Sequence, residues 1–463
     1  MRGISRRTFL GSSAAGVLAA LAHAQTARAA EAPPNVILCM TDDQGWADTG
    51  YNGHPVLKTP HLDAMAGDGI RFDRFYSGAP VCSPTRGSCL TGRHPSRYGI
   101  DYANDGHMRE GEVTLAEVLK ARGYTTGHFG KWHLGTLTKA VEDSNRGGPQ
   151  GVAHYAPPWE HGFDVCFSTE AKVPTWDPMR DPDTGKPYNT RYWTGPGQVA
   201  SDNLEGDDSR IIMDRVLPFI RRAAGSDTPF FAVVWFHAPH KPVVSGPPFT
   251  EMYEEHTDYF GCITAMDAQI GRLRAELAEL GVADTTMLWF TSDNGPENGT
   301  PGSAGPLRGR KRDLYEGGIR VPGLVVWPAH AEPGRRVAMP CSTSDYFPTV
   351  LDALGLWPGG VPDRPWDGVS LLPLLNGAME ERPKPIAFAS RKKLALIDGR
   401  YKLYSDDLGK TFALYDLEAD VGEQRDLAPA QPERVAAMRK TLDAWRESCR
   451  DSRHGDDYEG GTS

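Results

Sequence analysis

The sequence predicts an α/β fold: a large, mostly parallel mixed sheet covered on both faces by helices, then a small C-terminal antiparallel subdomain. Three observations carry that expectation. From Asn35 on, short apolar runs alternate with helical patterns, as in parallel strands joined by crossover helices. The runs lack the polar alternation of a half-exposed strand, so both faces should be buried. Beyond about Gly377 the pattern changes to short strands separated by turns such as Asp398-Gly399, which marks antiparallel hairpins. A chain of 463 residues has room for one large domain and a smaller one. The expected boundaries are 1–29 for an export signal, 30–377 for the main domain and 378–463 for the subdomain.

The elements follow in order. Ser5-Arg6-Arg7-Thr8-Phe9-Leu10 fits the twin-arginine export pattern. The weakly apolar run from Gly11 to Ala24 is too short and too rich in small residues for a membrane span. Ala27-Arg28-Ala29 offers a cleavage site, and its use would remove four arginines and no acids, taking the net charge from −10 to −14. Asn35–Thr41, Tyr124–Phe129, Phe230–Phe236 and Thr286–Thr291 read as buried strands. Pro60–Ala66, Leu115–Arg122, Arg210–Arg222, Tyr259–Leu280 and Ser344–Leu354 read as helices. Ala140 to Asp208 loses periodicity and is expected to be a long loop region. The subdomain strands are Ile386–Ser390, Lys393–Ile397, Tyr401–Tyr404 and Ala413–Leu417. A helix from Pro432 to Cys449 closes the chain, and a polar tail from Asp451 is expected to fray.

Composition excludes several classes. The net charge of −10 gives no support to nucleic-acid binding. Seven scattered cysteines resemble neither a disulfide framework nor a zinc cluster.

Each predicted main-domain strand ends in a polar cluster, where ligand sites of open α/β sheets form. The first runs into Asp42-Asp43 and the fourth into Asp293-Asn294. Adjacent buried carboxylates repel unless a cation compensates, and these hard oxygen donors suit calcium or magnesium rather than zinc. The second strand runs into Gly130-Lys131-Trp132-His133, where an extended backbone would point Lys131 and His133 to one side. The third runs into His237-Ala238-Pro239-His240-Lys241-Pro242. A basic run, Arg308-Gly309-Arg310-Lys311-Arg312, is expected to fold back onto the same end of the sheet.

Between the first two strands lies Val81-Cys82-Ser83-Pro84-Thr85-Arg86-Gly87-Ser88-Cys89-Leu90-Thr91-Gly92-Arg93. Ser83 reads as an N-cap, Pro84 as the first helical residue and Gly92 as the stop. Cys82 would then meet the positive end of a helix dipole, with Arg86 one turn on, a setting for a reactive thiol. A structural cysteine or a Cys82–Cys89 disulfide is the plainer alternative.

The Cys-x-Pro-x-Arg string with the trailing Leu90-Thr91-Gly92-Arg93 resembles the signature of the formylglycine-dependent type I sulfatases, the arylsulfatase and N-acetylgalactosamine-6-sulfatase kind. The resemblance spans roughly Asn35 to Pro322 and extends more weakly to about Leu427. It implies an alkaline-phosphatase-like three-layer sandwich, with Cys82 oxidised to formylglycine by a formylglycine-generating enzyme. It also implies Ca2+ bound by Asp42, Asp43, Asp293, Asn294 and the modified Cys82. Arg86, Lys131, His133, His240 and Lys311 would line the sulfate pocket, with His240 chosen over His237 for its place before Pro242. The basic loop departs from the glycine-rich form usual in the family, since Arg310 and Arg312 flank Lys311.

By that resemblance the aldehyde hydrates to a gem-diol. One hydroxyl, activated by calcium and Asp293, attacks sulfur while Arg86, Lys131 and Lys311 hold the sulfate oxygens. His240 or Lys311 protonates the departing alcohol, and His133 deprotonates the second hydroxyl so that sulfate leaves. Export by the twin-arginine translocase would place the protein in the periplasm or outside the cell, without stable membrane insertion. Trp159, Trp176 and Trp193, near Arg180, Arg191 and His154, point to a sulfated carbohydrate, because indole faces stack on sugar rings. An aryl sulfatase, a phosphonate or phosphodiester hydrolase of the same fold, and a non-catalytic binder of sulfated glycans are the alternatives.

Overall fold

The central strand, Asn35–Thr41, is buried along its whole length. Its alternate residues feed two separate cores: Val36, Leu38 and Met40 enter one, Ile37 and Cys39 the other. That division is what a sheet covered on both faces requires, and it explains the unbroken apolar run. The computed structural model describes residues 33–458; the export signal expected over 1–29 lies outside them. Among the described residues no helix is long and apolar enough to cross a membrane.

The main sheet has ten strands. Its parallel centre runs Thr286–Ser292, Asn35–Thr41, Phe230–Trp235, Thr125–Lys131, Val165–Thr169. Gly323–Val326 pairs antiparallel on one flank and Trp193–Gly195 on the other, making the sheet mixed. One face carries the helices Cys82–Thr91, Leu115–Lys120 and Tyr346–Ala353. The other carries Pro60–Asp68, Asp208–Ala224 and Thr257–Glu279. This is the expected three-layer arrangement.

Two sequence expectations give way here. Ala140 to Asp208 is not all loop: Val165–Thr169 extends the parallel centre, and Trp193–Gly195 and Gln198–Val199 add an edge. These strands are short and lie among prolines and glycines, which hides them from a periodicity reading. The tail does not fray at Asp451 either. The last helix runs Pro432–His454. Beyond it Asp457 accepts from Arg93 at 2.8 Å, and the Tyr458 hydroxyl donates to Glu112.

The C-terminal sheet is a four-stranded antiparallel meander of Ile386–Ser390, Lys393–Asp398, Tyr401–Ser405 and Ala413–Asp416. One face packs on Tyr76, Leu314 and Ile319 of the main body. The other packs on the last helix through Met438 and Leu442.

Candidate active site

The first and fourth strands pair in parallel up to Thr41 and Ser292, so the residues that follow, Asp42 and Asp293, emerge side by side. Asp43 turns into the left-handed region, φ 67°, which Asp tolerates better than most residues. Its backbone N–H donates to Asp293 Oδ1 at 3.1 Å. The Asn294 amide donates to Asp43 Oδ1 at 2.7 Å. Three carboxylates and an amide thus share one buried corner.

Three cations face them. Lys131 Nζ is 2.6 Å from Asp42 Oδ2 and Lys311 Nζ is 2.5 Å from Asp43 Oδ1. Arg86 is fully buried, donating to Asp293 Oδ2 at 2.7 Å and to the Lys131 carbonyl at 2.9 Å. It lies beneath the pocket rather than on its wall. Burial opposes ionisation of Asp42, but Lys131, His240, Arg86 and Lys311 outweigh it and hold the carboxyl well below the usual range. Asp293 is pushed up by burial and by the charge of Asp42.

Cys82 is the first residue of its helix, with extended Val81 as the N-cap. The helix therefore starts before the expected Ser83 cap, and the Ser83 hydroxyl instead accepts from the Asn104 N–H at 3.4 Å. Gly92 ends the helix in the left-handed region, as expected. The Cys82 thiol lies 3.6 Å from Asp42 Oδ1. Burial pushes it up to about 12, against the pull of Lys131 and Lys311. Burial thus favours the neutral thiol at position 82, and the Arg86 guanidinium is taken up by Asp293 and the Lys131 carbonyl. All seven cysteines are free and buried, so no Cys82–Cys89 disulfide forms.

His133 is not extended; it takes φ 57°, and both it and Lys131 still line the pocket. His133 Nε2 is 2.9 Å from Asn104 Oδ1, which also accepts from Asn145 Nδ2 at 3.1 Å. An amide oxygen can only accept, so Nε2 carries the proton and Nδ1 keeps a lone pair. That Nδ1 is buried without a partner. Burial and the Lys131 charge hold the ring well below the usual histidine range.

The two candidate histidines separate cleanly. His237 is fully buried between Asp208, at 2.8 Å, and Thr169, at 2.8 Å, away from the pocket. His240 lines it, with Nδ1 donating to the Lys241 carbonyl at 2.6 Å and Nε2 lying 3.6 Å from Asp43 Oδ2.

These residues surround a pocket of about 390 Å³ lined by Cys82, Lys131, His133, His240 and Lys311. Lys241 and Arg312, from the strand-end and basic clusters named above, also line it; a sequence reading missed Tyr102, Asn104, Asn145, Lys172, Glu297 and Asn298. None sits in a patterned motif; each arrives from a loop. The tryptophans expected to bind sugar do not reach the pocket. Trp193 is in the core with Nε1 on Asp143 at 3.1 Å, Trp159 packs against the same core, and Trp176 lies against Gly246. They pack the long connection.

The corner fits a hard divalent cation. Asp43 Oδ2 and Asn294 Oδ1 are buried without hydrogen-bond partners. Donor atoms of Asp42, Asp43, Cys82 and His240 lie within 4.8 Å of one another. Carboxylate and amide oxygens of this kind suit calcium or magnesium.

The sulfatase family profile matches residues 34–356. The chain belongs to the sulfatase family. Its members hydrolyse sulfate esters, and this chain is a sulfuric ester hydrolase. Human N-acetylgalactosamine-6-sulfatase is 36% identical over 77% of this chain and 69% of its own length. Human arylsulfatase A is 32% identical over 88% of this chain and 87% of its own. The crystal structure of PsFucS1 sulfatase from Pseudoalteromonas sp. shares the fold, with a TM-score of 0.77 at 22% identity over 98% of this chain and 96% of that one. The family's formylglycine and metal ion give position 82 and the carboxylate corner their context.

Proposed function

We propose that the chain hydrolyses a sulfate ester carried on a carbohydrate, with residue 82 as formylglycine and one Ca2+ held by Asp42, Asp43, Asp293, Asn294 and residue 82. The observation that carries this reading is the convergence of Cys82, two lysines and two histidines on one pocket above a corner with orphaned oxygens. Once oxidised and hydrated, residue 82 supplies one hydroxyl to attack sulfur and a second whose deprotonation expels sulfate. The cation supplies charge neutralisation and lowers the pKa of an oxygen bound to it.

The chain's own residues do the rest. Lys131 and Lys311 hold the sulfate oxygens, while Arg86 fixes the Asp293 carboxylate and the Lys131 backbone from below. Burial opposes the Lys311 charge, but Asp43 and its neighbours outweigh it and keep the ammonium protonated. Lys311 is therefore the better-supplied proton donor for the leaving oxygen, with His240 beside it. His133 receives the proton of the second hydroxyl at its unpartnered Nδ1.

The carbohydrate part rests on the pocket's size and polarity and on the kinship with N-acetylgalactosamine-6-sulfatase. A volume near 390 Å³ is within the roughly 300–1,000 Å³ that holds a small ligand, and Asn104, Asn145 and Asn298 offer amides to hydroxyls. The kinship with arylsulfatase A favours an aryl sulfate as the second reading. We place the protein in the periplasm or outside the cell, exported by the twin-arginine translocase after a formylglycine-generating enzyme has acted. The test is hydrolysis of a panel of sulfated saccharides, of nitrophenyl sulfate and of a matched phosphonate ester. Turnover of a saccharide with loss of all activity in Cys82→Ala is expected. Efficient aryl sulfate turnover with no saccharide hydrolysed would overturn the carbohydrate assignment.

A further inference from the structure

The cations around the pocket fall into two groups. Lys131 and Lys311 are paired with Asp42 and Asp43, and Arg312 is paired with Glu297 through both carboxylate oxygens, at 2.5 and 2.8 Å. Lys172 and Lys241 line the same pocket, yet neither has a carboxylate within ion-pair distance among the described residues. Lys241 Nζ reaches only the Asn298 and Gly299 carbonyls, at 3.5 and 3.4 Å.

Solvated surface lysines need no explanation, but Lys172 is not one. It is half-buried, and burial together with the charges of Lys131 and Lys311 presses its ammonium toward the neutral form. A lysine held against two other lysines raises the positive potential of the pocket. A sulfate monoester carries one negative charge, which Lys131 and Lys311 already face. Tyr102 lines the same pocket, with the Arg391 guanidinium 3.8 Å from its ring centre.

Resting on the sulfate-ester reading above, we infer that Lys172 and Lys241 form a second anion site. They select a substrate that carries another negative group next to the scissile sulfate, a carboxylate or a second sulfate on the same or the adjoining sugar. Two lysines without a carboxylate partner on one pocket wall favour a further anionic group there, and electrostatic complementarity of this kind sets specificity more than raw affinity.

The experiment uses the full, formylglycine-bearing enzyme and three disaccharides with the same scissile sulfate. The neighbouring position is neutral in one, a uronate in the second and a second sulfate in the third. The wild type should prefer at least one dianion over the neutral compound by about tenfold in kcat/KM, and added salt should erode the preference. Which dianion is preferred tells carboxylate from sulfate. In the Lys172→Met/Lys241→Met double variant the ratio should fall toward one, and Lys172→Arg/Lys241→Arg should restore it. Equal kcat/KM on all three compounds, or a ratio unchanged in the Met variant, would overturn this inference alone. Release from nitrophenyl sulfate but from none of the three would overturn this inference and the carbohydrate assignment, and release from none of the four would overturn the sulfate-ester reading as well.

Discussion

At position 133 one hydrogen bond decides which nitrogen is free. Asn104 Oδ1 is held by Asn145 and so can only accept from His133 Nε2, leaving Nδ1 with a free lone pair for the proposed role of base. Asn104→Ala releases the ring, and kcat should fall about tenfold or more with little change in KM. Adding His133→Ala to that variant should cost less than it does alone, because the two act as a unit. Kinetics of the single and double variants check this. Glu170, whose carbonyl accepts the His133 N–H at 2.9 Å, gives a pH signature. Burial pushes its carboxyl from 4.5 up to about 8, with Arg146 opposing only in part. The folded state therefore favours the protonated acid. The stability this gives is fully present below about 4.5 and is lost as the pH climbs through about 8. Glu170→Gln removes that loss, so its Tm relative to wild type should rise between about pH 5 and pH 9; a constant difference would contradict the argument.

At the scale of elements, the strand ends position the chemistry. Gly130 sits at φ 100°, and a Cβ there would lie 1.9 Å from the Trp235 carbonyl oxygen on the neighbouring strand. Only glycine lets Thr125–Lys131 lie this close while turning Lys131 toward Asp42. Gly130→Ala should destabilise the fold by roughly 3 kcal/mol, read from the denaturation midpoint, and should also lower activity by displacing Lys131. The same elements show what a sequence can reveal. The central strands were legible because burial on both faces leaves an unbroken apolar signal, as in Asn35–Thr41. The polar residues that end them, Asp42, Asp43, Lys131, His240 and Asp293, were legible because they interrupt that signal abruptly. Val165–Thr169 was not, since five residues between glycines, prolines and acids give no period. Asn104, Lys172 and Asn298 were illegible for another reason: each sits in an irregular loop, and only tertiary folding brings it to the pocket. The tryptophans misled because indole is as useful for packing a long connection as for stacking on a sugar.

For the whole molecule, Asp457 and Tyr458, just past the last helix, tie the end of the described chain to the region of the Cys82 helix. Arg93, just past that helix, is fully buried between Asp457, at 2.8 Å, and Glu112, at 3.6 Å. Glu112 in turn accepts from Tyr458. A chain ending at Gly455 leaves Arg93 and Glu112 short of partners. It should lose roughly 3 kcal/mol, the scale for breaking a buried ion pair, which thermal melts would show as a lower Tm. The carboxyl ends of the central strands meet where residue 82 lies 3.6 Å from Asp42. The account depends most on the chemical identity of that residue. Mass spectrometry of the peptide spanning position 82, from protein made with a formylglycine-generating enzyme and active on a sulfate ester, tests it directly. The account predicts a peptide lighter than the cysteine form that reacts with an aldehyde-specific hydrazide. A fully active preparation in which that peptide alkylates completely as a thiol would contradict it.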